Sequence, residues 1–160
     1  MLAAYDWLQR QDVNAVDPAR RAVEAPTPEA LQADVARSFP LSFMAANAAV
    51  ETAVKATPPA RLEVRLRKLQ DRWPEIVAQL RRRLPPAATV SDWLGAVGGP
   101  ASAAALGISE EKHAHDYARA RMIRRRFTGL DVLHDLGWLD VAVTELFAPQ
   151  GFWFNKGRKT

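Results

Sequence analysis

The sequence contains no cysteine, which excludes disulfide bonds, thiolate metal ligands and cysteine nucleophiles. Long apolar runs are missing too, because a charged residue interrupts every stretch before it reaches the roughly 18 residues that a membrane-spanning helix needs. The first residues include an acid, Asp6, with no cation before it, unlike a secretory signal. These absences predict a cytoplasmic chain without membrane partners.

Sequence motifs of phosphate-binding loops and of serine nucleophiles are also absent. The chain has no Gly-x-Gly-x-x-Gly, no Gly-x-x-x-x-Gly-Lys-Ser/Thr and no Gly-x-Ser-x-Gly segment. No cofactor site, and no catalytic residue, is therefore predicted within this chain.

The composition is that of one globular domain. The 160 residues are 48% hydrophobic and 25% charged, and no segment alternates polar with apolar residues as a strand would. Lys and Arg (22) exceed Asp and Glu (18), a net charge of +4 that permits acidic partners without requiring them. We expect an all-α fold, an irregular array of about seven to nine helices over residues 1–148, followed by a tail at 149–160.

Several residues mark where helices begin and end. Pro74 predicts either a kink in one helix or a division into two. Gly137 predicts the end of a helix, and another helix is expected to run from Ser109 to about Arg126. Cap residues predict further helix starts at Asp17-Pro18, Thr27-Pro28, Thr89 with Asp92, and Thr128 with Asp131.

The tail combines aromatic and basic residues. The segment Gly151-Phe152-Trp153-Phe154 is too short to anchor in a membrane, so we expect it to dock on the domain or on a partner. The cations that follow it, Lys156, Arg158 and Lys159, are expected to remain in solvent.

The three histidines do not have the spacing of a metal site. His113 and His115 diverge by about 200° on a helix, and His134 belongs to a different helix. We therefore expect surface histidines, with His115 near the edge of a buried face.

Arginines are concentrated at two predicted helix ends, where cations are favoured by the helix dipole. They are Arg81, Arg82 and Arg83 in one cluster and Arg119, Arg121, Arg124, Arg125 and Arg126 in the other. An alternative function is a standalone helical module that binds protein or nucleic acid through the second cluster, although nucleic acid is the less favoured partner because these arginines do not share one helix face.

Three segments carry a family resemblance. Leu106-Gly107-Ile108-Ser109, the stretch 118–131 and Leu136-Gly137-Trp138-Leu139 resemble the C-terminal end of sn-glycerol-1-phosphate dehydrogenases. Its most specific part is Ile123 to Asp131, an "isoleucine-arginine-x-arginine-aromatic-threonine-x-leucine-aspartate" pattern. The segment 69–85 is similar to preceding helices of that family.

The resemblance implies the helical half of a two-domain enzyme of the dehydroquinate synthase-like and iron-containing alcohol dehydrogenase superfamily. Such enzymes bind NAD(P) in an N-terminal α/β domain and hold a divalent metal, usually zinc, with an aspartate and two histidines of the helical domain. The complete enzyme would reduce dihydroxyacetone phosphate to sn-glycerol 1-phosphate.

The family's second histidine precedes a glycine at a helix start, immediately before a segment like Met1 to Leu8. No His-Gly pair occurs here, and no ligand position matches His113, His115 or His134. The resemblance therefore implies a scaffold fragment that begins after this helix start, is inactive alone and binds neither NAD(P) nor metal alone. The implied partners are the missing nucleotide-binding domain and a second copy in a homo-oligomer.

Overall fold

The structure is a computed structural model that describes residues 1–154, and the predicted solvated cations Lys156, Arg158 and Lys159 lie outside the described residues. Residues 1–154 contain helices and no strand, so the all-α prediction is confirmed. The α-helices are α1 Leu2–Leu8, α2 Pro18–Glu24, α3 Pro28–Ser38, α4 Ser42–Lys55, α5 Pro59–Asp71, α6 Trp73–Arg83, α7 Ala87–Ala96, α8 Glu110–Arg119, α9 Gly129–Leu136 and α10 Leu139–Phe147. None of these helices has the length and apolar character needed to cross a membrane.

Helix α1 lies in the centre of the main core. It buries Trp7 and Leu8 and contacts α9 and α10. The Trp7 indole NH donates to the Glu145 carboxylate of α10 at 2.7 Å. The other large buried side chains of this core come mainly from α5 and α9. Burial of these side chains is the main stabilising contribution to the domain.

A second, smaller core joins α3 to α4. Val35 of α3 and Ala48 of α4 pack with Met122, which follows α8. Helix α4 buries Ala48, Thr52 and the side chain of Lys55.

Several predicted helix boundaries are confirmed. Asp17 caps α2, Thr27 caps α3 and Ser109 caps α8 through their side-chain oxygens. Gly137 ends α9 at a φ of 77°, a conformation that glycine adopts without strain. Pro74 lies in the first turn of α6, so the segment that it interrupts forms two helices rather than one kinked helix.

Two predicted boundaries are wrong. Helix α7 begins at Ala87 instead of after Thr89, because the Asp6 carboxylate of α1 accepts the Ala87 N–H at 2.7 Å and caps the helix from a distant part of the chain. Helix α8 ends at Arg119 instead of near Arg126. Beyond it the chain turns inward and buries Arg121 and Met122, which a continued helix would direct elsewhere.

The aromatic tail docks on the domain, as predicted. Phe152 and Trp153 pack against the main core. Trp153 also lies 4.7 Å from the ring centre of His113.

Candidate functional site

The segment that carries the family resemblance forms the start of α9. The Asp131 carboxylate oxygen Oδ2 accepts hydrogen bonds from the Thr128 N–H at 2.8 Å and from the Thr128 hydroxyl at 3.0 Å. This is the predicted capping-box pair, and it fixes the direction in which the chain enters α9.

The other carboxylate oxygen of Asp131 forms a buried ionic cluster. Oδ1 lies 2.9 Å from the Lys55 ammonium of α4 and 3.4 Å from Nε of Arg121. The three side chains are at most 5% exposed. Burial lowers the pKa of Arg121, and the nearby Asp131 carboxylate opposes that shift. Two buried cations therefore share one carboxylate, and the motif residue Asp131 holds α9, α4 and the chain after α8 together.

The second arginine cluster does not form the basic helix face on which the alternative function depends. Arg121 is buried in the ionic cluster, and Arg125 pairs with Glu51 of α4 at 2.7 Å. Helix α8 ends before Arg121, so the arginines of the second cluster do not share one helix. Arg81, Arg82 and Arg83 do lie in the last turn of α6, as predicted.

The histidines occupy three different environments. His113 packs edge-on against the aromatic rings of Tyr117, Phe147 and Trp153. Burial is the main cause that lowers the pKa of His113. His115 is exposed, in agreement with the expectation of a surface histidine, whereas His113, also expected at the surface, is half-buried. The edge of the buried face is set by Tyr117, which is buried four residues, about one helical turn, after His113.

No metal site is formed within residues 1–154, where no three His, Asp or Glu side chains come together. His134 has Asp135 as its charged neighbour, and His115 has Asp116. The structure does not bring the histidines of α8 and α9 into one ligand set.

A cleft of about 770 Å³ lies between α2 and α3 on one side and the ends of α8 and α9 on the other. Four arginines line it, and each already has a partner in the chain. The partners are the His134 and Asp135 carbonyls for Arg21, Asp34 for Arg37, His115 for Arg119 and Asp131 for Arg121. Acids line the same cleft, so it presents no field of one sign to a ligand.

Several apolar side chains are exposed near the start of α1 and on α7. Met1 is 44% exposed and Trp93, on α7, is 59% exposed. Leu94 (40%) and Val97 (81%) continue the same helix end. Between α1, α7 and Phe152 lies a pocket of about 240 Å³. We call Met1, Trp93, Leu94, Val97 and this pocket the α1-start surface.

Sequence reasoning missed two hydroxyl contacts that hold α1 in place. The Tyr117 hydroxyl accepts the Ala4 N–H at 3.1 Å, and the Tyr5 hydroxyl accepts the Gly129 N–H at 3.0 Å. Burial is the main cause that raises the pKa of Tyr117 to about 12. In the sequence, each tyrosine occupies an apolar position of the helical pattern. The pattern therefore does not predict the hydrogen bonds that their hydroxyl groups accept.

Comparisons of the chain with protein-family models, with curated proteins and with solved structures found no match.

Proposed function

We propose that the chain forms the helical domain of a dehydrogenase similar to the sn-glycerol-1-phosphate dehydrogenases, and that it works in the cytoplasm together with a nucleotide-binding α/β domain. In the complete enzyme, NAD(P)H would supply the hydride that reduces dihydroxyacetone phosphate, and a bound divalent metal would supply Lewis-acid chemistry at the carbonyl group. In this proposal the helical chain supplies scaffold and one wall of the site.

The observation that carries the proposal is the position of the α1-start surface. The family resemblance puts the metal-binding histidine and the junction with the second domain directly before α1. Leu94 of α7 lines the pocket beside Met1, and Trp93 and Val97, close to it along the chain, are exposed as well. Clustered exposed apolar side chains are typical of surfaces that another protein surface covers.

The ionic cluster gives secondary support. The most specific part of the resemblance ends at Asp131, and Asp131 is 2% exposed and paired with Lys55 and Arg121. A carboxylate with this role is needed for the helical fold itself. The motif residue Asp131 therefore has a structural role in this chain.

The residues of the chain do not fit the implied metal on their own, because residues 1–154 bring no three His, Asp or Glu side chains together. The proposal therefore assigns the cofactor site to the other domain and the metal ligands to the part of the helical domain that precedes α1, and it assigns no reaction step to a residue of this chain.

A binding experiment tests the proposal. The nucleotide-binding domain of a related dehydrogenase, produced with its His-Gly helix start, is titrated into this chain while tryptophan fluorescence is followed. We expect saturable binding that the substitution Leu94→Asp abolishes, because Leu94 lines the pocket beside Met1. Phe43→Ser, on an exposed side chain of α4, is the matched control and should bind as the unmodified chain does.

An activity measurement completes the test. With zinc, NAD(P)H and dihydroxyacetone phosphate, the chain alone should give no NAD(P)H oxidation above the buffer blank. Oxidation by the chain alone, or the absence of binding at about 100 μM of both proteins, which corresponds to less than about 5 kcal/mol of binding free energy, would contradict the proposal.

A further inference from the structure

A pocket of about 260 Å³ lies where the end of α4, the start of α5 and the chain between α8 and α9 meet. Four cationic side chains line this pocket, and no Asp or Glu side chain does so. The cations are Lys55, Arg61, Arg65 and Arg125, and Phe127 lies among them. We call these five residues the basic pocket. A cavity lined by charges of one sign concentrates ions of the opposite sign, so the basic pocket attracts an anion.

Lys55 is the most buried cation of the basic pocket for which an exposure is known, and it has a spare hydrogen-bond donor. Its side chain is 5% exposed. The ammonium group contacts two acceptors, the Asp131 carboxylate at 2.9 Å and the Arg121 carbonyl. An ammonium group has three N–H donors, so one of them has no acceptor within residues 1–154. Because Lys55 lines the pocket, an oxyanion bound there can accept a hydrogen bond from this buried donor.

Two arginines of the basic pocket are held in position by acids outside it. Arg65 pairs with Asp135 at 2.7 Å, and its guanidinium lies 5.0 Å from the centre of the Phe127 ring. Arg125 pairs with Glu51 at 2.7 Å. A guanidinium has five N–H donors, and each pair uses only some of them. Both arginines therefore keep donors for a ligand, and their positions are fixed before the ligand binds, which reduces the entropy cost of binding.

The remaining positive charge of the basic pocket is not neutralised within the chain. Asp131 is shared between Lys55 and the buried Arg121, so this ionic cluster keeps one positive charge. Arg61 has no ion pair or hydrogen-bond partner within residues 1–154 and adds a second. Two uncompensated positive charges match the charge of a dianion better than that of a monoanion.

The start of α5 favours an anion at the same place. Helix α5 begins at Pro59 without a side-chain cap and without an acid in its first turn. The N–H groups at a helix start carry partial positive charge, which favours a bound anion. Arg61 belongs to this first turn, so the helix start and the unpaired guanidinium act on the same end of the pocket.

The size of the basic pocket selects a compact ligand. Its volume of about 260 Å³ is smaller than the roughly 300–1,000 Å³ of sites that enclose drug-sized ligands. The pocket therefore fits a phosphate group with a small substituent better than a whole nucleotide. Guanidinium groups bind phosphate oxygens through pairs of parallel hydrogen bonds, which makes arginine well suited to this group.

From these observations we infer that the basic pocket is a binding site for a small phosphate monoester, whose dianionic group lies among Lys55, Arg61 and Arg125. This inference does not rest on the proposed dehydrogenase function. That proposal places its reaction site beside the α1-start surface, with which the basic pocket shares no residue.

Isothermal titration calorimetry with methyl phosphate tests the inference. At about pH 8 this ester is a dianion, because the second pKa of a phosphate monoester is about 6. The unmodified chain should bind it saturably, and Arg61→Gln should weaken binding about tenfold or more through loss of a charge-assisted hydrogen bond. Arg81→Gln, at an exposed position in the last turn of α6, is the matched control and should bind as the unmodified chain does. Both variants should give the circular dichroism spectrum of the unmodified chain.

Dimethyl phosphate separates a monoester site from a general attraction of the basic chain for phosphate groups. This diester carries one negative charge and should bind at least tenfold more weakly than methyl phosphate. Equal affinities for the two esters would overturn the inference, and so would an equal loss of affinity in Arg61→Gln and Arg81→Gln. A dissociation constant above about 10 mM for methyl phosphate would overturn it as well.

Thiol protection tests the position of the site. Because the chain has no cysteine, Val54→Cys introduces a single thiol at the wall of the basic pocket. Methyl phosphate should slow its alkylation by N-ethylmaleimide. Val50→Cys is the matched control, because Val50 is similarly exposed on α4 (57% against 60%) but does not line the pocket, and its alkylation should be unaffected. Protection of both thiols, or of neither, would contradict binding at this place.

Discussion

Helices α9 and α7 are both short and mainly apolar, but they differ in how many of their apolar side chains are buried. Helix α9 buries Leu130, Leu133 and Leu136 inside the main core. Helix α7 buries only Ala87 and Ser91 and leaves Trp93 and Leu94 exposed. The apolar side chains of α9 pack against α1, α5 and α10. Within residues 1–154, no comparable set of helices covers the apolar side chains of α7. The contrast shows that α9 contributes to the main core, whereas α7 leaves apolar side chains exposed, which the proposed function assigns to contact with another domain.

The largest effect is expected where α9 carries a buried charge. Asp131→Asn leaves Lys55 and Arg121 buried without a carboxylate, and loss of one partner from a buried ionic cluster costs about 3–5 kcal/mol of unfolding free energy. Urea unfolding followed by circular dichroism measures the loss. Asp140→Asn, at an exposed position of α10, is the control and should change stability by less than about 0.5 kcal/mol. If Asp131→Asn and Asp140→Asn have equal unfolding free energies, the Asp131 carboxylate does not stabilise the fold.

A matched pair of leucines compares the two helices directly. Leu133 of α9 is fully buried, so Leu133→Ala should cost about 2–5 kcal/mol through lost burial and the cavity left behind. Leu94 of α7 is 40% exposed, and Leu94→Ala should cost less than about 1 kcal/mol. The same urea unfolding assay measures both variants. If the two substitutions cost the same, the distinction between a stabilising helix and a contact helix fails.

A smaller effect is expected where α9 touches α1. A Cβ at Gly129 would lie 2.9 Å from the Tyr5 ring, closer than unstrained carbon atoms approach. Gly129→Ala should therefore cost about 1–3 kcal/mol by forcing α1 and α9 apart. Gly95→Ala, on α7, has open space around the added atom and should not destabilise the chain. Thermal unfolding of the two variants checks this prediction. A Gly129→Ala protein that unfolds at the same temperature as the unmodified chain would contradict it.

The smallest effect concerns the pH dependence of the bond between α8 and α1. Burial raises the pKa of Tyr117 to about 12, so above pH 10 the unfolded chain loses this proton while the folded chain keeps it. Stability should then fall by about 1 kcal/mol between pH 10 and 11. Tyr117→Phe should be less stable near neutral pH, because the Ala4 N–H loses its acceptor, and should lose less stability over the alkaline range.

Absorbance titration isolates the same group. The chain has two tyrosines, so Tyr5→Phe leaves Tyr117 as the sole phenol. Its ionisation, followed near 295 nm, should have a midpoint at about pH 12. A midpoint near the ordinary tyrosine value of about 10 would show that Tyr117 is accessible to solvent.

The sequence predicts those boundaries of the fold that depend on neighbouring residues. Asp17, Thr27 and Thr128 mark helix starts because their side chains cap the helix that follows them directly. The start of α7 could not be predicted in this way, since its cap, Asp6, is 81 residues distant from Ala87. The end of α8 is likewise decided by a distant group, because Asp131 attracts Arg121 out of a helical path.

The candidate surfaces were less accessible to prediction than the helices. Periodicity identifies Trp93 and Phe43 as apolar positions, but it does not say whether a neighbouring element of the same chain covers them. Only the arrangement of the helices shows that both remain exposed. The histidines of α8 show the same limit of sequence-based prediction. The helical angle between His113 and His115 predicts that they face different directions, but only the structure shows that His113 is the one that packs against Tyr117.

The sequence of the coding DNA immediately before the Met1 codon tests the proposed function most directly. We predict an open reading frame that encodes a nucleotide-binding α/β domain and ends in a His-Gly helix start joined to α1. An in-frame stop codon followed by a ribosome-binding site directly before Met1 would contradict the proposal, because the α1-start surface would then belong to a protein without that domain.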